Sequence, residues 1–347
     1  SFPNPWPLPL SGTKGRTKGK RTYMDASIVI PAYNAEKTIG RTIEACLDQD
    51  FNGTLEVIVV DDGSTDTTGK IAQRYPVRYV YQENSGPASA RNRGWKTSKG
   101  GFVCFTDSDC IPQRGWVEKL LRNYHGNGKV GAVGGSYWIA NPASLLATCI
   151  QEEITIRHLA MPREVRCLGS YNLSVKKSVL EETGGFDEGY RMASGEDNDL
   201  SYKILKCGYK ALFDREALVA HYHRERLGKY LRDQYTHGFW RARLYKKHPD
   251  MARGDDYTQW KDILEVPMRL LTMSIPPFIW MPGADKLLAS LLLLNYLLQL
   301  GPASRISYRT GRPACMLFSV VTFLRGFART LGFTKGLWDI VNVGLKL

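Results

Sequence analysis

The sequence predicts an α/β domain on a mainly parallel sheet with helices on both faces, followed by an apolar helical region. Three observations predict it. Short β-branched runs alternate with helical stretches through the first third of the chain. One run, Gly101-Phe-Val-Cys-Phe-Thr106, leads directly into Asp107-Ser108-Asp109. Beyond residue 226 the composition turns basic and aromatic, then apolar. A chain of 347 residues has room for one large α/β domain and an appendage.

The elements follow in order. Ser27-Ile-Val-Ile30 reads as a strand, broken by Pro31, with a helix from Ala35 to about Asp50. Leu55–Val60 is a second strand, and Ser64 or Thr65 caps the helix after it, with Asp66 in its first turn. Val77–Tyr81 is a third strand, Gly86–Thr97 a helix and Phe102–Thr106 a fourth strand. Right-handed crossovers place the strand-end loops on one rim. The alternation then loosens. Trp116–Tyr124 and Gly195–Lys206 read as helices, and Val130–Ile139, Ser170–Val175 and Ala211–Ala220 as strands. Tyr230–Lys247 is a basic, aromatic helix.

The net charge of +13 suggests an anionic partner: nucleic acid, an acidic membrane face or phosphorylated substrates. It concentrates in Lys14, Arg16, Lys18, Lys20 and Arg21, and again from Arg224 to Lys247. Seven cysteines without a CxxC pair argue against a disulfide framework and a zinc site, and fit a reducing cytosol. Residues 1–24 have no apolar core of a signal peptide and read as a disordered basic segment.

The chemistry starts at Asp107 and Asp109. In open α/β sheets, ligands bind beyond the carboxyl ends of the strands. Two hard carboxylate ligands there suit Mg2+ or Mn2+ and leave room for phosphate oxygens. Further motifs accompany them: Ser27-Ile-Val-Ile-Pro-Ala-Tyr-Asn34, Val59-Val-Asp-Asp-Gly-Ser-Thr-Asp66, Gly86-Pro-Ala-Ser-Ala-Arg-Asn-Arg-Gly94, Gly184-Gly-Phe-Asp-Glu188 and Gly195-Glu-Asp-Asn-Asp-Leu200. In this order they resemble the family-2 glycosyltransferases of GT-A fold, over about residues 25–225.

The resemblance implies roles. Pro31, Ala32, Tyr33, Asn34 and Asp62 would hold the base and ribose of a nucleotide-sugar donor. Either Asp61 or Asp62 has a second reading as a turn or cap residue. Arg91 would reach the nucleotide or steady the acidic loop. Asp109 would ligate the metal, while Asp107 and Ser108 face the donor. His221 or His223 would offer a further ligand or a phosphate contact, and His221 fits the family position better. Asp197 would be the general base, with Glu196 orienting a neighbour or the acceptor and Asp199 capping the helix. Tyr171 and Asn172 lie on the acceptor side or serve as satisfied strand residues. One base and no nucleophile implies single displacement with inversion.

Gln234, His237 and Gly238 depart from the Gln-x-x-Arg-Trp motif of processive synthases, which favours adding one sugar. The segments at 263–280, 287–300 and 315–333 are apolar but short or broken against the roughly 20 residues that span a bilayer. They read as helices lying in a cytoplasmic membrane face, with a buried hairpin as the other reading. Arg325 and Arg329 would then sit at headgroup depth. The expectation is a catalytic domain at 25–225 and a peripheral or monotopic membrane region at 226–347. The resemblance implies transfer of one sugar from a nucleotide-sugar, with UDP-sugar as the expected donor, to a hydroxyl of a lipid-linked or glycan acceptor. The alternative acceptor is a polyprenyl phosphate, as in dolichol-phosphate-mannose synthases. A nucleotide-binding Gly-x-Gly-x-x-Gly is absent after the first strand, which excludes a Rossmann dehydrogenase, and no nucleic-acid module is recognisable.

Overall fold

The computed structural model describes residues 25–251, 254, 256–258 and 260–342. The N-terminal segment 1–24 and its basic cluster lie outside them. The first half is β1 (Ala26–Ala32), α1 (Ile39–Leu47), β2 (Leu55–Asp62), α2 (Thr68–Ala72), β3 (Arg78–Gln82), α3 (Pro87–Thr97), β4 (Phe102–Thr106) and β5 (Cys110–Pro112). Then come α4 (Trp116–Leu121), β6 (Val130–Ile139), α5 (Leu145–Ala160), β7 (Glu164–Val165), β8 (Asn172–Lys176), α6 (Lys177–Thr183), α7 (Glu196–Lys206) and β9 (Lys210–His221). The chain ends in α8 (Leu227–Lys247), α9 (Trp260–Ser274), α10 (Ala284–Thr310) and α11 (Phe318–Asn342).

The sheet runs β3-β2-β1-β4-β8-β6-β9-β5, with β7 on β9. Strands β3, β2, β1 and β4 are parallel, and β8 enters antiparallel between β4 and β6. Strand β1 is buried along its whole length because both sheet faces are covered. One core, with Ile28, Ile30 and Val59, lies under α1 and α4; the other, with Val29, Ile58 and Phe105, lies under α3, α6 and α7. Chain order reverses around β1, so the loops after β1, β2 and β4 open into one crevice. Pro31 lies past the last β1–β4 pair, Val29 with Phe105.

Three expectations are corrected. The region after Val130 contains two helices the sequence pattern hid, α5 and α6. Helix α5 turns Gln151, Thr155 and His158 inward, so its buried face is not an apolar stripe. The apolar segments are also not short. Helix α9 runs through Pro267 and α10 runs 27 residues through Pro302. Ala284–Thr310 and Pro313–Asn342 are each long and apolar enough to cross a membrane by length and composition. Finally, Arg325 points into the protein. It is 5 % exposed, pairs with both Glu153 carboxylate oxygens and donates to Tyr230 Oη at 3.0 Å.

Helices α8 and α11 meet backbone to backbone. A Cβ on Gly238 would strike the Arg329 carbonyl; one on Gly332 or Gly336 would strike the carbonyls of Tyr235 and Phe239. Small residues one turn apart permit this approach. Helix α5 bonds to the same layer through Arg157–Asp262 at 2.7 Å and Arg309–Glu152 at 2.9 Å.

Candidate active site

The crevice is built from the strand-end loops and the start of α7. The loop after β1 is cross-braced to the loop after β2. Asn34, with φ of 49°, accepts from the Thr65 N–H at 2.8 Å, and Ser64 Oγ accepts from the Asn34 N–H at 3.0 Å. Tyr33 is exposed at 52 %, while Pro31 and Ala32 are buried in β1, leaving only their backbone to a ligand.

The two acids ending β2 divide their work. Asp61 accepts from the Ser64 N–H at 2.9 Å and from Tyr79 Oη at 2.7 Å, so it is the turn residue of the pair. Asp62 accepts from Gln82 Nε2 at 2.7 Å and from the N–H groups of Ser85 and Gly86 at 2.9 Å. Three donors leave about one of its four acceptor positions. Gly86 takes φ of 94° with its Cα against the Arg191 carbonyl, where a Cβ would lie 2.8 Å from the oxygen. Asp62 thereby aims α3, and α3 carries Arg91.

Arg91 is the structural centre. It is 2 % exposed, and donates to Asp107 Oδ1 at 2.8 Å and to Glu196 Oε1 at 2.9 Å. Burial works against its charge, but Asp107 and Glu196 outweigh it and hold the guanidinium above its usual range. One cation therefore joins the loop after β4 to the acidic start of α7. Burial and the neighbouring Asp197 push Glu196 up to about 7, with Arg91 opposing. Burial also raises Asp197, against the Asn198 N–H, Arg91 and Arg241. Asp197 is half-buried and Glu196 fully buried, so Asp197 is the more accessible acid of the two. Gly195 starts this helix at φ of 91°. Asp199 is not a cap, as the sequence suggested. It is fully buried and accepts from Lys247 Nζ at 2.7 Å and His248 Nε2 at 2.8 Å, fixing the end of α8.

Asp109 faces His221 across the β5–β9 pair, which aligns Cys110 with His221. Asp109 Oδ1 and His221 Nε2 are 3.7 Å apart, and ligand atoms of Asp109, Cys110 and His221 lie within 4.8 Å of one another. Burial, which outweighs His221, raises Asp109, and Asp107 adds to it. Burial also holds the Cys110 thiol protonated, so a hard cation would find its donors in Asp109 and His221. His223 supports His221 instead of competing with it. It is buried, its Nε2 meets Gln151 Oε1 at 2.8 Å, and its Nδ1 lies 3.2 Å from His221 Nδ1. Burial, then His221, pushes it down to about 2. Tyr137 stacks on His221 with ring centres 5.4 Å apart. Thr42 Oγ1 donates to the Ser108 carbonyl at 3.0 Å and steadies the acidic loop.

On the acceptor side, Tyr171 packs against Tyr137 at 4.3 Å and is half-buried. Asn172 is different. Its amide is fully buried, accepting from Trp116 Nε1 at 2.7 Å and donating to the carbonyls of Ser136 and Ala217 at 2.7 and 2.8 Å. No atom is left to meet an acceptor, so Asn172 is the satisfied strand residue of the two readings. Sequence reasoning missed Thr42, Gln151, Ser194 and Tyr137. Their signal is purely spatial, since each acts on a residue far along the chain.

Residues 27–170 match the model of Glycosyl transferase family 2. The chain is 31% identical over 243 residues to the pre-mycofactocin glycosyltransferase of Mycobacterium tuberculosis, covering 66% of this chain and 49% of the relative. It is 28% identical over 222 residues to glycosyltransferase AglE of Haloferax volcanii, covering 61% of this chain and 71% of the relative. The chain thus spans about half the length of the mycobacterial relative. Among solved structures, a mannosyltransferase from Pyrobaculum calidifontis, in complex with GDP-Man and Mn2+, superposes with a TM-score of 0.57 at 20% identity. That match covers 92% of this chain and 88% of the other, and it shows the shared fold.

Proposed function

This chain belongs to glycosyl transferase family 2, and on that premise we propose that it transfers one sugar from a nucleotide-sugar to an acceptor hydroxyl, with inversion. The observation that carries the reading is Arg91, which clamps Asp107 and Glu196 into one crevice. Donor phosphates lie by Asp107 and Ser108, and the base and ribose by Tyr33, Asn34 and the remaining acceptor position of Asp62. Asp109 and His221 would hold Mn2+ or Mg2+, which when bound neutralises charge on the diphosphate. Asp197 takes the acceptor proton as the acceptor oxygen bonds to the sugar's anomeric carbon. The bond from that carbon to the diphosphate breaks, and the nucleoside diphosphate leaves. Glu196 fixes Arg91 and thereby the position of Asp197; Tyr171 lines the acceptor side.

We assign UDP as the donor nucleotide from the motif resemblance. GDP is the competing assignment, since the mannosyltransferase of similar fold was solved with GDP-Man and Mn2+. Thermal shifts with UDP-sugars and GDP-mannose in Mn2+ test this directly. A shift by neither class in Mn2+ would sink the donor reading.

The acceptor we favour is lipid-linked, reached from the cytoplasmic membrane face. An apolar surface supports this: Ile263, Leu264, Leu271, Phe278, Ile279 and Trp280 are exposed. Only 17% of the most apolar stretch of α10 is buried. The basic helix α8 adds attraction to anionic lipid, about 1 kcal/mol per residue near the surface. Flotation of the full chain with phosphatidylglycerol liposomes tests it. A chain that ignores liposomes and stays dispersed without detergent removes the membrane-linked acceptor.

A further inference from the structure

The reaction above uses one wall of the crevice. Helix α8 borders the other side, where His237 meets Ser194 and Arg241 acts on Asp197, and α11 packs against α8. Gln234, His237 and Arg241 stand three and four residues apart, so they share one face of α8. His237 is tied to the loop before Asp197: its Nδ1 lies 2.8 Å from Ser194 Oγ. Arg329 arrives from α11 and donates Nε to Gln234 Oε1 at 2.7 Å. Gly238 permits that approach, since a Cβ there would strike the Arg329 carbonyl.

The two arginines of α11 are handled oppositely. Arg325 is buried and neutralised by Glu153. Arg329, one turn further, is exposed, and no carboxylate among the described residues pairs with it. Desolvation in the crevice, then the charges of Arg329, Arg241 and Arg224, push His237 down to about 3. The same field reaches Asp197 through Arg241. Glu153 and Asp262 act on Arg329 only from a distance, and a guanidinium without a paired carboxylate is a fork for phosphate oxygens.

We propose that Arg329, with His237 and Arg241 beside it, forms a subsite for a phosphate or diphosphate carried by the acceptor, adjacent to Asp197. The word acceptor rests on the transferase reading above; the anion subsite rests on the geometry of α8 and α11.

The test uses the full chain in detergent, with Mn2+ and UDP present. Farnesyl phosphate, farnesyl diphosphate and farnesol are titrated by calorimetry. At least one phosphorylated probe should bind about tenfold or more tighter than farnesol. The tighter of the two tells a monoester from a diphosphate. Arg329→Ala should erase that advantage while leaving farnesol binding unchanged, and Arg329→Lys should keep most of it. Melting curves check that both variants are folded, and Arg329→Gln replaces Arg329→Ala if the latter melts early. Equal binding of farnesol and the phosphates overturns the proposal, as does an advantage that survives loss of the Arg329 charge. So does dihexanoyl phosphatidylglycerol binding as tightly, which would make the site a headgroup contact. Nucleotide binding is read separately. UDP bound without phosphate preference sinks the subsite alone; phosphate preference without any nucleotide binding supports the subsite and sinks the transferase reading.

Discussion

The β4 rim and the α8–α11 seam carry charge in opposite ways. At the rim, Asp107, Glu196 and Asp197 gather about one buried cation, Arg91, with Asp109 beside Asp107, and burial raises Asp109, Glu196 and Asp197. At the seam, the buried Arg325 is cancelled by Glu153, while no carboxylate among the described residues pairs with Arg329. A negative floor faces a positive wall. The difference bears on the proposals above: on them, the floor would take a metal-bound donor and the wall an anionic acceptor.

Breaking the floor should have the largest effect. Asp109→Ala should abolish detectable turnover and weaken UDP binding in Mn2+, measured by product formation and calorimetry; full activity in excess EDTA would refute metal dependence. Asp197→Asn keeps the shape but not proton acceptance, and should cost about 10²–10⁴ in turnover with donor affinity unchanged. An equal loss of donor affinity would reassign Asp197 to binding. Arg91→Lys loses the two-pronged clamp and should cost about 10–100-fold in activity or Mn2+ affinity. The pH profile sharpens the picture. A base works ionised, and burial raises Asp197, so kcat/KM should fall as pH drops through a value above the ordinary aspartate pKa of about 3.9. An acid limb at or below that value would show that the crevice does not shift Asp197. The smallest effect is mechanical. Gly238→Ala overpacks the seam and should lower stability by about 1–3 kcal/mol, read as a lower denaturation midpoint.

The rim was legible in the sequence because its signals are local. A strand end and the next helix start lie within ten residues of Asp62 and Asp109, and Asp197 sits at a glycine-led helix start. The seam was not. Glu153 and Arg325 pair across 172 residues, and nothing near either one announces the other. Helix α5 escaped for a related reason: its inward Gln151 and His158 bond to distant partners, so its pattern looked polar where it is buried. Pro267 interrupts the apolar run in the sequence, yet α9 continues through it. Asn172 shows the converse limit. An exposed role and a fully spent amide look alike until its partners Trp116, Ser136 and Ala217 are placed.

The glycine seam has a consequence for how the molecule carries load. Helices in backbone contact cannot slide by a fraction of a turn without collision, because each carbonyl sits where a Cβ would be. Helix α8 is held at its far end by Asp199, and at its middle His237 bonds to Ser194, two residues before Glu196. The joint is a strut, not a hinge. Displacing the apolar layer would displace the carboxylates with it, so their standoff from that layer is fixed by the length and tilt of two helices.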